Sequence, residues 1–205
     1  MRTVKVKICG VTNPADTLRA VQLGADFLGL NFYPPSARFL SLETAVTLGA
    51  MIPAPTERVG LFVNSDVQTI MDHVEACGLH WVQCHGDESP EFCRLLAAEG
   101  IRVIKAFRVR GPDDVERARA YPVQAFLFDA FDPNQYGGTG RIFDWSLVRR
   151  MDRPVFLAGG ITPDNVARAA CTGVYAVDVC SGVESTPGQK DHVRMQQLFD
   201  ALESQ

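Results

Sequence analysis

The sequence predicts an α/β protein, a single-domain (β/α)₈ TIM barrel over residues 1–205. Short β-branched runs alternate about eight times with amphipathic segments, a pattern typical of parallel strands joined by crossover helices. No linker or low-complexity tract divides the chain. The hydrophobic share of 46% and the charged share of 21% are those of a globular domain. The length is sufficient to bury a sizeable core.

Strands and helices are predicted from the period of the apolar residues. The predicted strands are Val4–Ile8, Phe27–Phe32, Arg58–Val63, Trp81–Cys84, Val103–Phe107, Ala125–Phe128, Val155–Ala158 and Ala176–Val179. The predicted helices are Ala15–Leu23, Leu42–Met51, Val67–Ala76, Pro90–Ala98, Asp113–Ala120, Trp145–Arg150, Pro163–Cys171 and His192–Leu202. Capping residues precede several helices, at Ser41, Ser65 with Asp66, Ser89 and Thr162. Glycines suited to a left-handed helix end follow others, at Gly24, Gly78, Gly100 and Gly173.

A doubly wound open sheet is the alternative fold. The chain is short for a barrel, since such barrels typically have about 250 residues. Compact loops with few insertions would account for the smaller number of residues. No Gly-x-Gly-x-x-Gly follows the first strand, so the usual support for a dinucleotide-binding open sheet is missing.

Charge and hydropathy exclude several classes of partner. The net charge of −4 offers no basic surface for nucleic acid. The N-terminus lacks the apolar run of a signal peptide, and no apolar stretch is long enough to span a bilayer. We therefore expect a cytoplasmic protein that binds neither nucleic acid nor membranes.

The six cysteines predict neither a disulfide scaffold nor a metal site. Their spacings match no Cys-x-x-Cys or zinc pattern, so reduced thiols are expected. Cys84 and His85 are neighbours in a strand and point to opposite faces, which prevents them from sharing an ion. Most of these cysteines are expected to be small buried hydrophobes. Only Cys9 has a local context that suggests chemistry.

In a barrel of this type the chemistry collects at the C-terminal ends of the strands. Cys9 follows strand one, His85 strand four and Asp129 strand six, and Arg38 lies in the long loop after strand two. Loops after strands seven and eight often bind phosphate through backbone N–H groups. The corresponding residues here are Gly159, Gly160, Ser181 and Gly182. We therefore expect a phosphorylated small molecule as ligand.

Alternation within the strands predicts which side chains face the barrel interior. Lys7 and Cys9 share the inward face of strand one, and Asp129 is on the inward face of strand six. In strand four His85 points inward, whereas Cys84 points to the helix layer. The two cysteines therefore differ in position although their local sequences look alike.

Several segments resemble one family closely. They are Lys7-Ile8-Cys9-Gly10, Val82-Gln83-Cys84-His85-Gly86, Gly137-Gly138-Thr139-Gly140 with Phe143-Asp144-Trp145, Ala158-Gly159-Gly160, Val177 to Glu184, and Pro187 to Asp191. In this order, from Lys5 to Asp191, they resemble phosphoribosylanthranilate isomerase. The departures are small: Cys84 stands where that family usually has leucine, and Cys180 where a serine or another small residue is common.

The resemblance implies an Amadori rearrangement in tryptophan biosynthesis, without cofactor or metal. It implies Cys9 as general base, Asp129 as general acid and Arg38 as the group that holds the anthranilate carboxylate. For the acid, burial or a nearby negative charge must raise the pKa of Asp129 from about 3.9. For the base, a nearby cation should lower the pKa of Cys9, and Lys7 is the expected helper.

Other interpretations of these residues stay open at this point. His85 and Asp178 are placed among the substrate-binding residues, although a scaffold histidine and a structural ion pair are equal alternatives. Asp178 could orient Lys7 or Arg38, and Asp129 could pair with Lys105. The glycines Gly137, Gly138 and Gly140 predict a mobile loop beside Asp129 rather than a simple turn.

Three functions compete. The first is the isomerase; the second is a related phosphate-binding lyase or synthase of the tryptophan or thiamine routes, which would use paired carboxylates in place of Cys9. The third is a phosphosugar-binding regulatory protein without turnover. The chain could act as a monomer or a homodimer.

Overall fold

The computed structural model describes residues 4–130, 142–148 and 151–203. The barrel strands are β1 (Lys5–Cys9), β2 (Phe27–Asn31), β3 (Glu57–Phe62), β4 (Trp81–Cys84), β5 (Arg102–Val109), β6 (Ala125–Ala130), β7 (Val155–Leu157) and β8 (Ala176–Val179). The helices are α1 (Pro14–Gln22), α2 (Leu42–Ala50), α3 (Val67–Cys77), α4 (Pro90–Ala98), α5 (Pro112–Ala118), α6 (Val166–Ala170) and α7 (His192–Glu203). Two 3-10 turns cover Trp145–Val148 and Ser181–Val183, and β9 (Glu184–Thr186) pairs with β10 (Gln189–Lys190).

The eight strands β1 to β8 form a closed parallel barrel in sequence order, because β8 pairs with β1. At this seam Lys7 lies beside Asp178 and Ile8 lies beside Val179. The closure confirms the predicted (β/α)₈ barrel. It excludes the doubly wound sheet, in which the strand order reverses and two edges stay open.

Side chains of the strands alternate between two hydrophobic layers. The barrel interior contains Phe27, Val59, Trp81, Ile104, Ala106, Ala125, Leu127, Phe156, Ala158 and Ala176. The layer between the strands and the helices includes Val82, Cys84, Phe126 and Phe128. The predicted registers of β4 and β6 are therefore confirmed, including the outward position of Cys84.

Most predicted helix ends are confirmed by their hydrogen bonds. Ser41, Asp66 and Ser89 each accept a hydrogen bond from the backbone N–H three residues later. The glycines predicted at helix ends have positive φ, at Gly24, Gly78, Gly100 and Gly173. Among the described residues, none of the helices combines the length and the hydropathy that a bilayer crossing requires.

The segments around β7 differ from the prediction. Of the predicted helix Trp145–Arg150, the described residues Trp145–Val148 form a 3-10 turn, and the last two positions lie outside the described residues. The turn buries both of its end residues, since positions three apart eclipse in such a turn. The predicted helix Pro163–Cys171 begins only at Val166. Asn165 binds the N–H of Thr162 and the carbonyl of Gly160 through its side chain, which holds the preceding residues in a local turn. Thr162 is therefore not the helix cap.

A buried ion pair between Glu88 and Lys105 joins the loop after β4 to strand β5. Lys105 faces away from the barrel interior and donates from Nζ to Glu88 Oε2 (2.8 Å) and to the carbonyl of Gly86 (2.7 Å). Glu88 also accepts a hydrogen bond from the backbone N–H of Asn64 (2.8 Å). Both charged side chains are only 3% exposed. The alternative in which Lys105 pairs with Asp129 is therefore wrong, because the two lie on opposite faces of the barrel wall.

The substitution Glu88→Gln should destabilise the fold by about 3–5 kcal/mol, because it leaves the buried ammonium of Lys105 without its counter-charge. Urea unfolding measures the change in the free energy of unfolding. Glu91→Gln is the matched control: its pair with Arg94 involves a glutamate side chain 72% exposed, and its loss should cost at most about 1 kcal/mol. Equal effects of the two substitutions would contradict the assignment.

Candidate active site

The thiol of Cys9 lies at the C-terminal end of β1, where the residue is 5% exposed. Its sulfur lies over Gly29 of the neighbouring strand β2. A Cβ added to Gly29 would come within 2.7 Å of Cys9 Sγ. The glycine therefore provides the room that the sulfur occupies, and a larger residue on β2 would displace it.

Asp129 lies at the end of β6, on the same C-terminal side of the barrel as Cys9, which is called the mouth below. The residue is 4% exposed. Burial, followed by the negative charge of Asp178, raises the pKa of Asp129 to about 7. The hydrogen bond from the N–H of Ala130 to Oδ1 (2.8 Å) opposes this shift only in part. The expected raised pKa is confirmed, so near neutral pH the carboxyl group can carry a proton and donate it.

His85 is a neutral histidine beside Asp129. Burial, together with the charges of Lys105 and Lys7, lowers the pKa of His85 to about 3. The amide nitrogen of Gln83 lies 2.6 Å from Nδ1, which places the ring hydrogen on Nε2. Nε2 lies 3.8 Å from Asp129 Oδ2 and is buried without a hydrogen-bond partner among the described residues. The Nε2–H group of His85 is therefore available as a hydrogen-bond donor at the mouth.

Asp178 forms a buried ion pair with Lys7 across the seam between β8 and β1. Nζ of Lys7 lies 2.8 Å from Oδ1 of Asp178, and the two side chains are 0% and 6% exposed. Although burial lowers it, the pKa of Lys7 is raised overall by this carboxylate. Of the two partners considered for Asp178, the structure selects Lys7 and not Arg38.

The charge of Lys7 lowers the pKa of Cys9, as predicted, but other effects outweigh it, so the expected net lowering is wrong. A hydrogen bond with the thiol of Cys180, and then burial, raises the pKa of Cys9 well above that value. The same hydrogen bond lowers the pKa of Cys180 to about 7. Asp178 already compensates Lys7, whereas Lys190 Nζ lies 3.8 Å from Cys180 Sγ. The two thiols titrate as a pair, and the cations Lys190 and Arg38 on the side of Cys180 favour the loss of the first proton from the pair.

Glu184 organises the cations on the other side of Cys180. It accepts hydrogen bonds from Arg38 Nε (3.2 Å) and Nη2 (2.5 Å) and from Lys190 Nζ (2.9 Å). Glu184 and Lys190 lie within the segments that resemble the family, but no role was predicted for either residue. Since Arg38 and Glu184 are 146 positions apart, no local pattern could reveal their contact; membership of the motif was the only signal.

The glycine loops after β7 and β8 meet at the mouth. Gly159 and Gly160 have φ values of 86° and 63°, which favour glycine. A Cβ on Gly182 would lie 1.9 Å from the carbonyl oxygen of Ile161, so only glycine allows the two loops to touch. Ser181 begins the 3-10 turn that contains Gly182. The structure thus brings together the residues predicted to bind phosphate.

Some predicted site residues cannot be placed. Gly137, Gly138 and Gly140 lie outside the described residues. Within the part of the chain that the structure describes, no group of three or more His, Cys, Asp or Glu side chains is arranged to hold a metal ion.

Comparison with known proteins shows which family the chain belongs to. The family model described as N-(5′-phosphoribosyl)anthranilate (PRA) isomerase matches residues 6–201. The chain belongs to this family. The resemblance that its motifs indicated is therefore confirmed. The relatives described next are named as PRA isomerases.

Relatives of this PRA isomerase family cover nearly the whole chain. The N-(5′-phosphoribosyl)anthranilate isomerase of Myxococcus xanthus is 50% identical over 197 residues, 92% of this chain and 91% of the relative. The crystal structure of the Thermus thermophilus enzyme matches with a TM-score of 0.90 and 36% identity, over 98% of this chain and 99% of that one. A PRA isomerase in complex with reduced 1-(o-carboxyphenylamino)-1-deoxyribulose 5-phosphate matches with a TM-score of 0.86 and 40% identity, over 98% and 100%.

Family membership makes the chain an isomerase rather than a related lyase or synthase. A thiamine phosphate pyrophosphorylase of Pyrococcus furiosus matches with a TM-score of 0.72 but at 17% identity, over 99% of this chain and 97% of that one, which shows a shared fold alone.

The substitution Asp129→Asn should stabilise the protein at alkaline pH. The pKa of about 7 in the folded state lies above the ordinary value of 3.8, so the folded state holds this proton more tightly. The contribution of Asp129 to stability is therefore fully present below about pH 4 and is lost as pH rises through 7. Above pH 8 the variant should gain up to about 4 kcal/mol over the parent, and toward pH 4 the gain should vanish.

Urea unfolding at pH 5 and pH 8.5 measures this difference. Asp152→Asn is the control, because its side chain is 56% exposed and keeps its contact with water. A gain for Asp129→Asn that is the same at both pH values would show that Asp129 is ionised in the folded protein.

Proposed function

We propose that the chain converts N-(5′-phosphoribosyl)anthranilate to 1-(2-carboxyphenylamino)-1-deoxyribulose 5-phosphate in tryptophan biosynthesis, with Asp129 as general acid and Cys9 as general base. The observation that carries the proposal is a buried carboxyl group with a pKa near 7, in one barrel mouth with a thiol pair that ionises in the same range. The relative bound to a reduced form of this product supports it. No cofactor or metal takes part.

The first step opens the furanose ring. Asp129 gives its proton to the ring oxygen as the C1′–O bond breaks, which leaves an iminium ion and the Asp129 carboxylate. A carboxyl group at its ordinary pKa would already be ionised, so the burial of Asp129 and the charge of Asp178 make this step possible at neutral pH.

The second step removes the proton from C2′. Cys9 becomes a thiolate by passing its proton to the sulfur of Cys180, so the pair holds one negative charge before and after the transfer. The positive charge of the iminium ion favours the thiolate at Cys9, the more deeply buried of the two sulfurs, when the proton is removed. The thiolate takes the C2′ proton, and the enolamine that forms tautomerises to the ketone.

Arg38 is the group that binds the anthranilate carboxylate in this proposal. Glu184 holds the guanidinium through Nε and Nη2, which orients the side chain and gives Nη1 to the ligand. A planar guanidinium suits a carboxylate because both are fork-shaped. His85, through Nε2–H, and Asp178 complete the proposed substrate-binding residues.

Gly159, Gly160, Ser181 and Gly182 are proposed to bind the phosphate. Backbone N–H groups can approach phosphate oxygens closely where no Cβ intervenes. The contact between Gly182 and the carbonyl of Ile161 supports a single binding surface formed by both loops. Gly159 also lies against Asp129, since a Cβ there would be 3.0 Å from Oδ1. The phosphate end and the acid are therefore adjacent.

A fluorescence assay tests the reaction. Phosphoribosylanthranilate generated in place is fluorescent, and its conversion by added protein should quench the signal. A lyase, a synthase or a regulatory binding protein would leave the fluorescence unchanged. Absence of any quench at high protein concentration would therefore overturn the proposed function.

Cys9→Ala and Asp129→Asn should each lower kcat by about 10²–10⁴-fold with little change in KM, because each removes a proton-transfer group. Cys84→Ala is the matched control: it removes a buried thiol at the end of β4 that faces the helix layer instead of the barrel interior. It should keep kcat within about threefold. A rise in KM alone for Cys9→Ala or Asp129→Asn would show that their assigned roles are wrong.

The oligomeric state, monomer or homodimer, stays a prediction of the sequence. The same is true of the expected absence of nucleic-acid partners.

A further inference from the structure

Two cysteines of the described chain meet at the barrel seam. β1 and β8 are paired so that Ile8 lies beside Val179, and the next residues along the two strands are Cys9 and Cys180. Adjacent strands lie about 4.8 Å apart, within the range of Cα separations that a disulfide can bridge. The sulfur of Cys180 lies close to this end of β1, since a Cβ added to Gly10, the residue after Cys9, would be 3.4 Å from Cys180 Sγ. The backbone positions of the two residues are therefore compatible with a disulfide.

Cys180 is the more accessible and the more easily ionised thiol of the two. The residue is partly exposed, whereas Cys9 is 5% exposed. Lys190 lies 3.8 Å from its sulfur and also donates to its carbonyl oxygen (3.2 Å). Glu184 Oε1 lies 3.8 Å away on the same side.

The charges around the pair favour one thiolate. Three cations and two carboxylates border the two sulfurs, namely Lys7, Arg38, Lys190, Asp178 and Glu184. One negative charge on the pair balances this set. With a pKa of about 7, a large part of Cys180 is thiolate at neutral pH, and the thiolate is the form that reacts with oxidants.

We propose that Cys180 is a modification site for hydroperoxides, and that its oxidation joins it to Cys9 in a reversible disulfide that switches the isomerase off. The switching part rests on the proposed role of Cys9 as the base. Formation of the bond does not depend on that role.

The chemistry balances with hydrogen peroxide as the oxidant. The Cys180 thiolate attacks one peroxide oxygen, the O–O bond breaks, hydroxide leaves, and Cys180 becomes a sulfenic acid. The Cys9 sulfur then attacks the Cys180 sulfur, loses its proton and expels a second hydroxide, which leaves as water. In total, two thiols and one peroxide give one disulfide and two waters, and two electrons pass from the sulfurs to the peroxide.

A second thiol pair lacks the access that this reaction needs. Cys84 and Cys93 also share a hydrogen bond, between β4 and α4. Both residues are fully buried in the layer between strands and helices. Peroxide reaches the barrel mouth more readily than this layer, so the oxidation should be selective for Cys9 and Cys180.

Peroxide treatment of the reduced full-length protein tests the proposal. After treatment the remaining thiols are alkylated, and the digested peptides are mapped by mass spectrometry. We expect a Cys9–Cys180 cross-link with a mass loss of two hydrogens, and a fall in kcat of about a hundredfold or more that dithiothreitol restores. Cys171→Ser, which removes an exposed thiol, is the matched control and should behave as the parent does.

Cys180→Ser is the decisive variant, with its activity compared with its own untreated sample. It cannot form the bond, so the part of the activity loss that dithiothreitol restores should disappear. Free Cys9 and Cys180 after treatment, a link only between Cys84 and Cys93, or an unchanged reversible loss in Cys180→Ser would each overturn the proposal.

Different results would overturn the disulfide between Cys9 and Cys180 and the role of Cys9 as general base. A mapped Cys9–Cys180 link with full activity would overturn the switch and the base role of Cys9 together. A missing link, combined with the expected loss of kcat in Cys9→Ala, would overturn the redox proposal alone.

Discussion

Closure of the barrel presses β1 against β8 and places Lys7 and Asp178 in contact at 2.8 Å, away from water. Neither charge could be buried at this seam without the other, because an unpaired buried ion costs several kcal/mol. The electrostatics of the mouth follow from this pair. Asp178 raises the pKa of Asp129, and by compensating Lys7 it removes much of the positive charge that would otherwise ionise Cys9.

The other buried charges of the mouth are also paired with opposite charges. Glu184 pairs with both Arg38 and Lys190, which leaves one positive charge in excess beside Cys180. A thiolate shared by two sulfurs balances it. The conditions that would make a thiolate available for the proton transfer proposed for Cys9 also make it available to an oxidant. Reactivity and vulnerability therefore have one electrostatic origin.

Much of the fold could be predicted because it depends on local periods. The alternation of two in β4 and β6 correctly separated the inward His85 and Asp129 from the outward Cys84. The helix after β7 was predicted too early, because a side-chain hydrogen bond of Asn165 overrides the helical signal of Thr162 and Pro163. Local propensity is a weak guide where a single polar side chain can satisfy the backbone in another way.

The sequence by itself determined the barrel, the inward faces of its strands, the family and several of the residues at the mouth, since each of these is encoded in short periods or contiguous motifs. The contacts of Glu184 and Lys190 were not among them. The tertiary structure alone decided which of these residues touch and which of them carry a proton. Arg38 pairs with Glu184, Lys105 with Glu88, and Cys9 with Cys180. Protonation depends on burial and on charges brought from distant parts of the chain, and neither exists until the barrel has closed.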